Sequence, residues 1–337
     1  MNIYGITREN LEKYFVSINE KKFKALQIFE WLYQKRESDI EKFSNIKKEI
    51  RDKIKNDFSF NLPTIIKKEI DTDVEKFLFL LEDGEKIEAV LMRHNYGLSV
   101  CVSSEVGCNM GCKFCESGRL KKVRNLKSYE MVGQILAIEK EIKERINSVV
   151  IMGIGEPLDN YDNVIDFIKI INDPKGISIG ARHITLSTCG LIPKMNLLSE
   201  LNIQINLAIS LHAPNDELRS QIMPINKVYH LNELIKAIKN YIAKTNRRVT
   251  IEYVLLKGIN DKIEHAYELA NLLKGMNVYV NLIPYNETNH LEFQKSDKKS
   301  IDLFYQTLQK EKINVTVRKE FGSNISAACG QLRSKEV

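Results

Sequence analysis

Three of the six cysteines of this chain lie within eight residues, in the segment CNMGCKFC. They are Cys108, Cys112 and Cys115, a CxxxCxxC spacing. A structural zinc site takes four ligands in a closed tetrahedron, and no fourth cysteine lies nearby in the sequence. A redox CxxC pair would leave Cys108 without a role. Three thiolates suit a [4Fe–4S] cluster that keeps one iron open to a small molecule, with Gly107 and Gly111 easing the backbone of the loop.

The composition is ordinary for a globular protein. The chain has 337 residues, of which 43% are hydrophobic and 28% charged, enough for one large α/β domain with an accessory piece or for two domains. Its first residues, MNIYGITRENLEKYF, lack the apolar run of a signal peptide, and nowhere do about 18 apolar residues follow one another. We therefore expect a cytoplasmic protein, in which thiols stay reduced and cysteines indicate metal binding or catalysis rather than disulfides.

The hydrophobic pattern predicts the elements that must position the cysteines. Residues 1–60 have apolar residues at helical spacing and are predicted to form a small accessory helical domain. Residues 61–97 contain a linker and two strand-like runs that meet at Asp83 and Gly84, a hairpin signal. Residues 98–337 alternate strands with helices, and the strand candidates are 98–104, 148–155, 183–189, 205–212, 249–256 and 278–285, followed by INVTVRKE.

Near-continuous β-branched strands that alternate with helices indicate a parallel sheet covered by helices. The six units predict an α/β fold, a partial (β/α)6 barrel with a helical accessory domain and a β-hairpin extension. Ligands of such a barrel bind at the C-terminal ends of its strands. The cysteines follow the first of these strands, and MGIGEP, residues 152–157, ends the second. Gly153 and Gly155 would let a ligand approach the backbone closely, and Glu156 can accept hydrogen bonds from an ammonium group.

At this position, CxxxCxxC with Phe114 before its last cysteine resembles the radical S-adenosylmethionine (SAM) superfamily. In that superfamily the open iron of the cluster chelates the amino acid part of SAM. Gly155 and Glu156 match its GEP element, which binds the SAM amino group. Longer segments resemble the RlmN family of RNA adenine-C2 methyltransferases. These segments, in the family's order and within residues 80–333, are VCVSSEVGCNMGCKFC, VVIMGIGEP, GARHITLSTCG, ISLHAPND, MPIN, VNLIPYN and AACGQLR.

The resemblance implies methylation of C2 of adenine 2503 in 23S rRNA and of adenine 37 in certain tRNAs. One SAM methylates a protein cysteine, which Cys329 matches. A second SAM, cleaved at the cluster, gives a 5′-deoxyadenosyl radical that removes hydrogen from the S-methyl group, and the resulting carbon radical adds to C2 of the base. A resolving cysteine, which Cys101 matches, then helps release the product and leaves a disulfide. Glu88 matches the glutamate that is assigned as proton acceptor.

Further positions match SAM contacts of the family, at the ends of predicted strands three, four and six, a location that suits ligand contact. They are Ser187, Ser210, Leu211, His212 and Asn286. By residue type alone, His212 is more often structural, and Glu88 would be an exposed strand residue. Cys101 and Cys329 would each be small buried hydrophobic residues. Cys189, where the family usually has serine or another small residue, is assigned no chemistry.

The resemblance implies three partners: 23S rRNA, tRNA and an electron donor such as flavodoxin or ferredoxin. We expect the protein itself to be a monomer. The target adenine must leave its stack before its C2 edge can be reached. The formal net charge is +6, and a basic run without an acid follows the cysteines: Arg119, Lys121, Lys122, Arg124 and Lys127. Such a run is usually a solvated face, but beside a reactive centre we expect phosphate contact. The N-terminal helices have a modest basic excess, including Lys21, Lys22, Lys24, Lys47 and Lys48.

Three other functions remain open on the sequence. The related Cfr branch methylates C8 of the same rRNA adenine and shares the CNxGCKFC segment, although SSEVGC, LMRH and MGIGEP are more similar to the C2 enzymes. A zinc-ribbon RNA-binding module without catalysis would hold zinc and bind RNA without SAM. A radical SAM activase that makes a glycyl radical on a partner protein would leave Cys101 and Cys329 without a role.

Overall fold

The structure of the protein, a computed structural model, describes residues 1–288, 290–318, 325 and 331. Cys329, which matches the methyl-carrying cysteine, lies outside these residues. Everything said below about helices, strands and contacts refers to the described residues.

Three α-helices form the N-terminal region, as the helical pattern predicts. They are α1 (Arg8–Ser17), α2 (Phe23–Phe29), which continues as a π-helical turn, and α3 (Lys48–Asp57). The Thr7 hydroxyl caps α1 by accepting from the Asn10 backbone N–H at 3.3 Å. The apolar faces of these helices belong to the same continuous hydrophobic core as the barrel. The boundary between an accessory domain and the barrel at residue 60 stays a prediction.

The extension after the helices contains three antiparallel strands rather than two. The predicted hairpin is present as β2 (Val74–Leu80) and β3 (Lys86–His94), with Gly84 at φ +87° in the turn. A further strand, β1 (Thr64–Asp71), pairs with β2 where the sequence predicts a linker. The side chains of β1 are exposed or half-buried, so β1 has no alternating apolar pattern, and its backbone pairing with β2 is what makes it a strand.

The predicted partial barrel is confirmed as an open parallel sheet. Its strands are β4 (Gly97–Cys101), β7 (Ser148–Ile151), β8 (Ile184–Thr188), β9 (Asn206–Ser210), β10 (Val249–Leu255), β11 (Val278–Pro284) and β12 (Val315–Val317). They pair in this order, all parallel, and β1–β3 extend the sheet beyond β4. Most of the strands end earlier than predicted because the chain leaves the sheet where the site loops begin.

Helices cover the outside of this sheet, as the alternating pattern predicts. They are α4 (Ser128–Ile142), α5 (Tyr161–Asn172), α6 (Ile192–Ser199), α7 (Asp216–Ile222), α8 (Leu231–Thr245), α9 (Ile263–Leu273) and α10 (Lys298–Lys310). Two short strands, β5 (Glu105–Val106) and β6 (Arg124–Asn125), pair with each other outside the large sheet. In the described part of the chain, no helix is both long and apolar enough to cross a membrane.

Candidate active site

The cluster loop, defined as residues 107–123, connects β5 to β6 and carries the CxxxCxxC cysteines. The antiparallel pair β5–β6 closes its base, and the Cys108 N–H donates to the Leu120 carbonyl at 3.1 Å. On the opposite side, the Lys113 N–H donates to the Ile222 carbonyl of α7 at 2.9 Å. Cys108, Cys112 and Cys115 all line one cavity at the C-terminal ends of the strands, so the structure brings together the three residues that the spacing selects.

The surroundings of these thiols fit a bound cationic group. Burial raises the pKa of Cys108 to about 12 and raises the pKa of Cys112 as well, because a thiolate loses its hydration there. Metal ligation requires the thiolate form. Iron supplies the positive charge that would offset this desolvation, so the donor set fits an iron–sulfur cluster held by Cys108, Cys112 and Cys115.

A site for a single metal ion is not found in the part of the chain that the structure describes. There, no three His, Cys, Asp or Glu side chains are grouped as ligands of one ion. In a [4Fe–4S] cluster each cysteine binds a different iron, so the three thiols need not converge on one point. The zinc alternative therefore has no ligand set among the described residues.

Glu156 provides a buried carboxylate that lines the same cavity. Its Oε2 accepts from the Cys189 N–H at 2.8 Å, and its Oε1 accepts from the Leu158 N–H at 3.0 Å. Burial raises the pKa of Glu156, while the hydrogen bond from Cys189 acts in the opposite direction. The two backbone donors orient the carboxylate, and the side chains of Thr188 and Cys189 also hydrogen-bond to it. Binding of an ammonium group by Glu156 stays a prediction.

Glu105 joins the cluster loop to the loop that contains Glu156. Its side chain is fully buried; Oε2 accepts from the Glu156 N–H at 2.9 Å, and Oε1 lies 2.5 Å from Lys122 Nζ. Burial raises the pKa of Glu105 to about 7, although the Lys122 ammonium lowers it. Gly155, at φ +109°, passes so close to Glu105 that an added Cβ would lie 2.6 Å from its Cγ. Glu105 and Gly155 together fix the backbone that presents Glu156.

Most of the residues that match SAM contacts line the same cavity. Those are Gly155, Glu156, Ser187, Ser210, His212 and Asn286, at the ends of β7, β8, β9 and β11. Leu211 does not line it: its side chain is fully buried in the main hydrophobic core, and its backbone carbonyl accepts from Arg219 Nε at 3.2 Å. The SAM contacts of all these residues stay predictions.

His212 is a neutral donor held by the backbone. It lies at φ +59°, its Nδ1 accepts from the Val254 N–H at 3.0 Å, and its ring meets the edge of Phe114 with centroids 4.9 Å apart. Burial, and secondly the charge of Arg219, lower the pKa of His212 to about 3. Because Nδ1 accepts, the neutral ring carries its proton on Nε2.

Replacement of His212 by alanine should destabilise the apoprotein more than replacement by asparagine. Alanine leaves the buried Val254 N–H without its acceptor and is unfavourable at positive φ, together about 2–4 kcal/mol. Asparagine tolerates positive φ and keeps a side-chain acceptor, so we expect about half that loss. Urea unfolding of the apoproteins measures both values. Equal loss in the two variants would contradict the structural role given to the ring.

The pH dependence of unfolding provides a second measurement of His212. A histidine in the unfolded chain takes up a proton near its ordinary pKa of 6.5, whereas the folded ring does so only near 3. The contribution of His212 to stability is therefore present above pH 6.5 and falls as the pH drops toward 3, by about 1.4 kcal/mol per pH unit. The asparagine variant should show a shallower dependence over this range than the parent protein.

Glu88 on β3 and Cys101 on β4 share one face of the sheet, and neither lines the cavity. Val90 lies opposite Cys101 in the β3–β4 register, and Glu88 lies two residues from Val90 on the same face. Glu88 is only 6% exposed, so the expectation of an exposed strand residue is wrong. Ile154 belongs to the apolar cluster on this face of the sheet, and Ile325 packs against that cluster. The strand pattern alone would predict that this face is exposed to solvent. Lys76 Nζ lies 3.5 Å from Glu88 Oε1.

The basic run after the cysteines is mostly committed to partners within the protein. Arg119 pairs with Glu116 at 3.2 Å, Lys122 with Glu105 and Asp159, and Arg124 with Glu130 at 2.8 Å and Asp83 at 2.6 Å. These three cations hold the cluster loop and β6 in place. Lys121 and Lys127 are exposed and form no ion pair with the described residues. We therefore expect phosphate contact mainly from these two lysines.

Three residues of the site were not selected from the sequence: Glu105, Arg219 and Glu252. Glu252 lines the cavity and accepts from Asn281 Nδ2 at 2.8 Å. Glu252 could have been selected from the sequence by its position in the apolar run VTIEYVLL, because a single acidic residue in a buried strand is unusual. The segments that contain Glu105 and Arg219 give no such signal, because charged residues are ordinary in loops and helices.

Comparison with known proteins agrees with this site. The chain matches the family model for the radical SAM superfamily over residues 102–270 and the model for the ribosomal RNA large subunit methyltransferase N-terminal domain over residues 1–59. It is 52% identical to the probable dual-specificity RNA methyltransferase RlmN of Acholeplasma laidlawii, with 100% of both chains covered. The protein of the same name from Enterococcus faecalis is 50% identical over 100% of this chain and 97% of its own length.

The fold is likewise similar to a solved structure over its whole length. A crystal structure of a radical SAM methyltransferase from Sphaerobacter thermophilus superposes with a TM-score of 0.93 at 39% identity, covering 99% of this chain and 100% of the other. The similarity covers both the helical N-terminal region and the barrel. The chain belongs to the RlmN family of radical SAM methyltransferases.

Proposed function

We propose that this chain methylates C2 of adenine 2503 in 23S rRNA and C2 of adenine 37 in tRNAs, in the cytoplasm where these RNAs are used. The proposal is based on the cavity that Cys108, Cys112, Cys115 and Glu156 line together. Its support is the similarity of about 50% to relatives named as dual-specificity RNA methyltransferases over the full chain.

The cavity provides places for both cofactors. Cys108, Cys112 and Cys115 would hold the iron–sulfur cluster, and Glu156 would bind the SAM amino group. When bound, the cluster and SAM supply a 5′-deoxyadenosyl radical after one electron arrives from a low-potential donor such as flavodoxin or ferredoxin. Apolar residues around the cysteines, including Phe114 and Met223, would keep water from that radical.

The position of Cys329 in the sequence supports its role as methyl carrier. Ile325 packs on the apolar cluster that contains Cys101. Gln331 donates from Nε2 to the Glu287 carbonyl at 2.9 Å, beside the cavity residue Asn286. In the sequence, Cys329 lies between these two residues, four from Ile325 and two from Gln331. Its role as methyl carrier is proposed from this position in the sequence and from the resemblance.

In the proposed reaction, each bond that forms is matched by a bond that breaks. The Cys329 thiolate takes a methyl group from the first SAM, and S-adenosylhomocysteine leaves. After loss of a hydrogen atom to the 5′-deoxyadenosyl radical, that carbon would bond to C2 of the base. Glu88 would accept the C2 proton, and one electron would return from the adduct to the oxidised cluster, which balances the electron received from the donor. The Cys101 thiolate then attacks the Cys329 sulfur, and the S–C electron pair goes to the carbon, which takes a proton. The disulfide formed needs a dithiol reductant.

Nucleoside analysis tests this function directly. Anaerobically reconstituted protein, labelled SAM, reductant and protein-free 23S rRNA should give 2-methyladenosine, and no label should appear at C8. Unlabelled rRNA that already carries the modification is the matched control and should take up no methyl group. Formation of 8-methyladenosine would instead identify the chain as a Cfr-type enzyme, and the absence of any methylated nucleoside with active SAM cleavage would contradict the proposal.

A further inference from the structure

Arg219 is a fully buried cation directly behind the wall of the cavity. It lies on α7 and is 1% exposed. Its guanidinium donates to Asn226 Oδ1 at 2.9 Å and to the backbone carbonyls of Cys189 at 2.7 Å, Leu211 at 3.2 Å and Ser210 at 3.3 Å. All four acceptors are neutral. The described residues include no carboxylate in an ion pair with Arg219.

Burial of a cation in this position is unfavourable unless a negative charge offsets the loss of hydration. Removing a charged group from water costs several kcal/mol even after relaxation, and neutral oxygens recover only part of that. Two acids are linked to Arg219 through one intervening residue each. Asn226 Nδ2 donates to Asp216 Oδ1 at 2.8 Å, and the Cys189 N–H donates to Glu156 Oε2 at 2.8 Å. The Asp216 side chain is 44% exposed, so solvent screens much of its charge. Neither acid is hydrogen-bonded to the guanidinium directly in the described part of the chain.

The cavity side of Arg219 is where negative charge would accumulate. Cys189, whose carbonyl accepts from the guanidinium, lines the cavity together with Cys112. The end of α7 also supports the cluster loop, since the Ile222 carbonyl accepts from the Lys113 N–H, and Ile222 packs with Phe114. Arg219 is therefore a fixed positive charge behind the part of the cavity wall that Cys189 and Cys112 line.

We propose that Arg219 is the built-in counter-charge of the iron–sulfur cluster, a positioning residue whose buried cation raises the reduction potential of that cluster. The inference rests on the proposed function only in requiring a cluster on Cys108, Cys112 and Cys115. One electron from a low-potential donor enters the cluster, no bond changes, and the net charge of the site becomes more negative by one. A fixed cation in a low-dielectric environment stabilises the reduced state more than the oxidised state, because net charge is one of the factors that set cluster potentials.

Two variants separate the charge of Arg219 from its hydrogen bonds. Arg219→Lys keeps the charge and loses the planar fork, whereas Arg219→Gln loses the charge and keeps an amide donor. The full-length proteins are reconstituted anaerobically, assayed for iron and sulfide, and titrated with dithionite at controlled potentials while EPR follows the reduced cluster. At the wild-type midpoint, the ratio of reduced to oxidised cluster should fall about tenfold in the glutamine variant, a shift of about 59 mV for one electron. In the lysine variant, the ratio of reduced to oxidised cluster should stay within about threefold of the wild-type ratio.

Each result decides the charge hypothesis, independently of RNA methylation. An unchanged midpoint in the glutamine variant would overturn it, and so would equal shifts in both variants, which would show that the hydrogen bonds matter instead. If only the glutamine variant fails to hold a cluster while both apoproteins have the same circular dichroism, the charge requirement is supported. If neither variant holds a cluster, Arg219 is a structural anchor and the proposal is wrong.

Discussion

Replacing Cys112 with alanine should give a folded, colourless protein that no longer cleaves SAM. Cys112 shares one cavity with Cys108 and Cys115, so its loss would leave two of the three proposed ligands. Three thiolates are the smallest set that holds a cubane with one open iron, so we expect iron content near zero and 5′-deoxyadenosine formation at background. The fold should survive, because Cys112 is only half-buried and its loop is tied down by the Cys108–Leu120 and Lys113–Ile222 hydrogen bonds.

The measurements are iron and sulfide content, the absorbance of the reconstituted protein, and release of 5′-deoxyadenosine on reduction with dithionite. Cys189→Ser is the matched control, because Cys189 lines the same cavity but lies outside the CxxxCxxC spacing. The serine variant should hold as much iron as the parent protein. Normal SAM cleavage by a variant lacking all three of Cys108, Cys112 and Cys115 would refute the cluster assignment, as would equal iron loss in the Cys189 control.

The sequence predicts the barrel well because its strands carry their own signal. Runs such as VTIEYVLL are apolar along almost their whole length, which is what burial on both faces of a parallel sheet requires. The site follows from the same signal, because parallel strands bring their C-terminal ends to one edge. Ser210 ends β9, and Cys108 and Glu156 lie in the loops that follow β4 and β7. Position along the chain was thus sufficient to group these residues.

Long-range partners could not be predicted, because nothing local encodes them. Glu88 alternates with apolar residues as a solvent-facing acid would, yet Ile154 and Ile325, remote in sequence, cover its face of the sheet. Lys122 resembles a member of a basic surface run, but its ammonium pairs with Glu105 and Asp159. Pairing of this kind depends on which loops the fold places together, and a charge pattern along the chain does not contain that information.

The ion pairs of Lys122 decide which lysines should be replaced in a test of RNA binding. Lys122 holds Glu105, and Glu105 in turn accepts the backbone N–H of Glu156. Neutralising the whole basic run would therefore disturb the proposed SAM site as well as any RNA contact. Lys121 and Lys127, which are exposed, can be changed without breaking any ion pair seen in the described residues.

The two distant cysteines should fail at different steps when each is replaced by alanine. Cys329→Ala removes the methyl acceptor, so neither protein methylation nor RNA methylation should occur, although SAM cleavage at the cluster should persist. Cys101→Ala leaves the acceptor intact, so Cys329 should still be methylated and should still bond to the base. Product formation should fall to background in both variants, and their intermediates should differ.

The intermediate of Cys101→Ala should be a covalent protein–RNA adduct. Without a thiol to attack the Cys329 sulfur, the bond from that sulfur to the bridging carbon cannot break, so the adduct should approach one per active protein. It should appear as a slow-migrating band in denaturing gels that ribonuclease trims, with the modified base attached to Cys329 by mass spectrometry. The double variant is the control and should form no adduct, because its first step is missing. Normal turnover of Cys101→Ala, or an adduct formed by Cys329→Ala, would show that the roles are wrong or reversed. Cys101 matches the resolving cysteine of the family, which is why we expect resolution, not radical formation, to be the step that Cys101 controls.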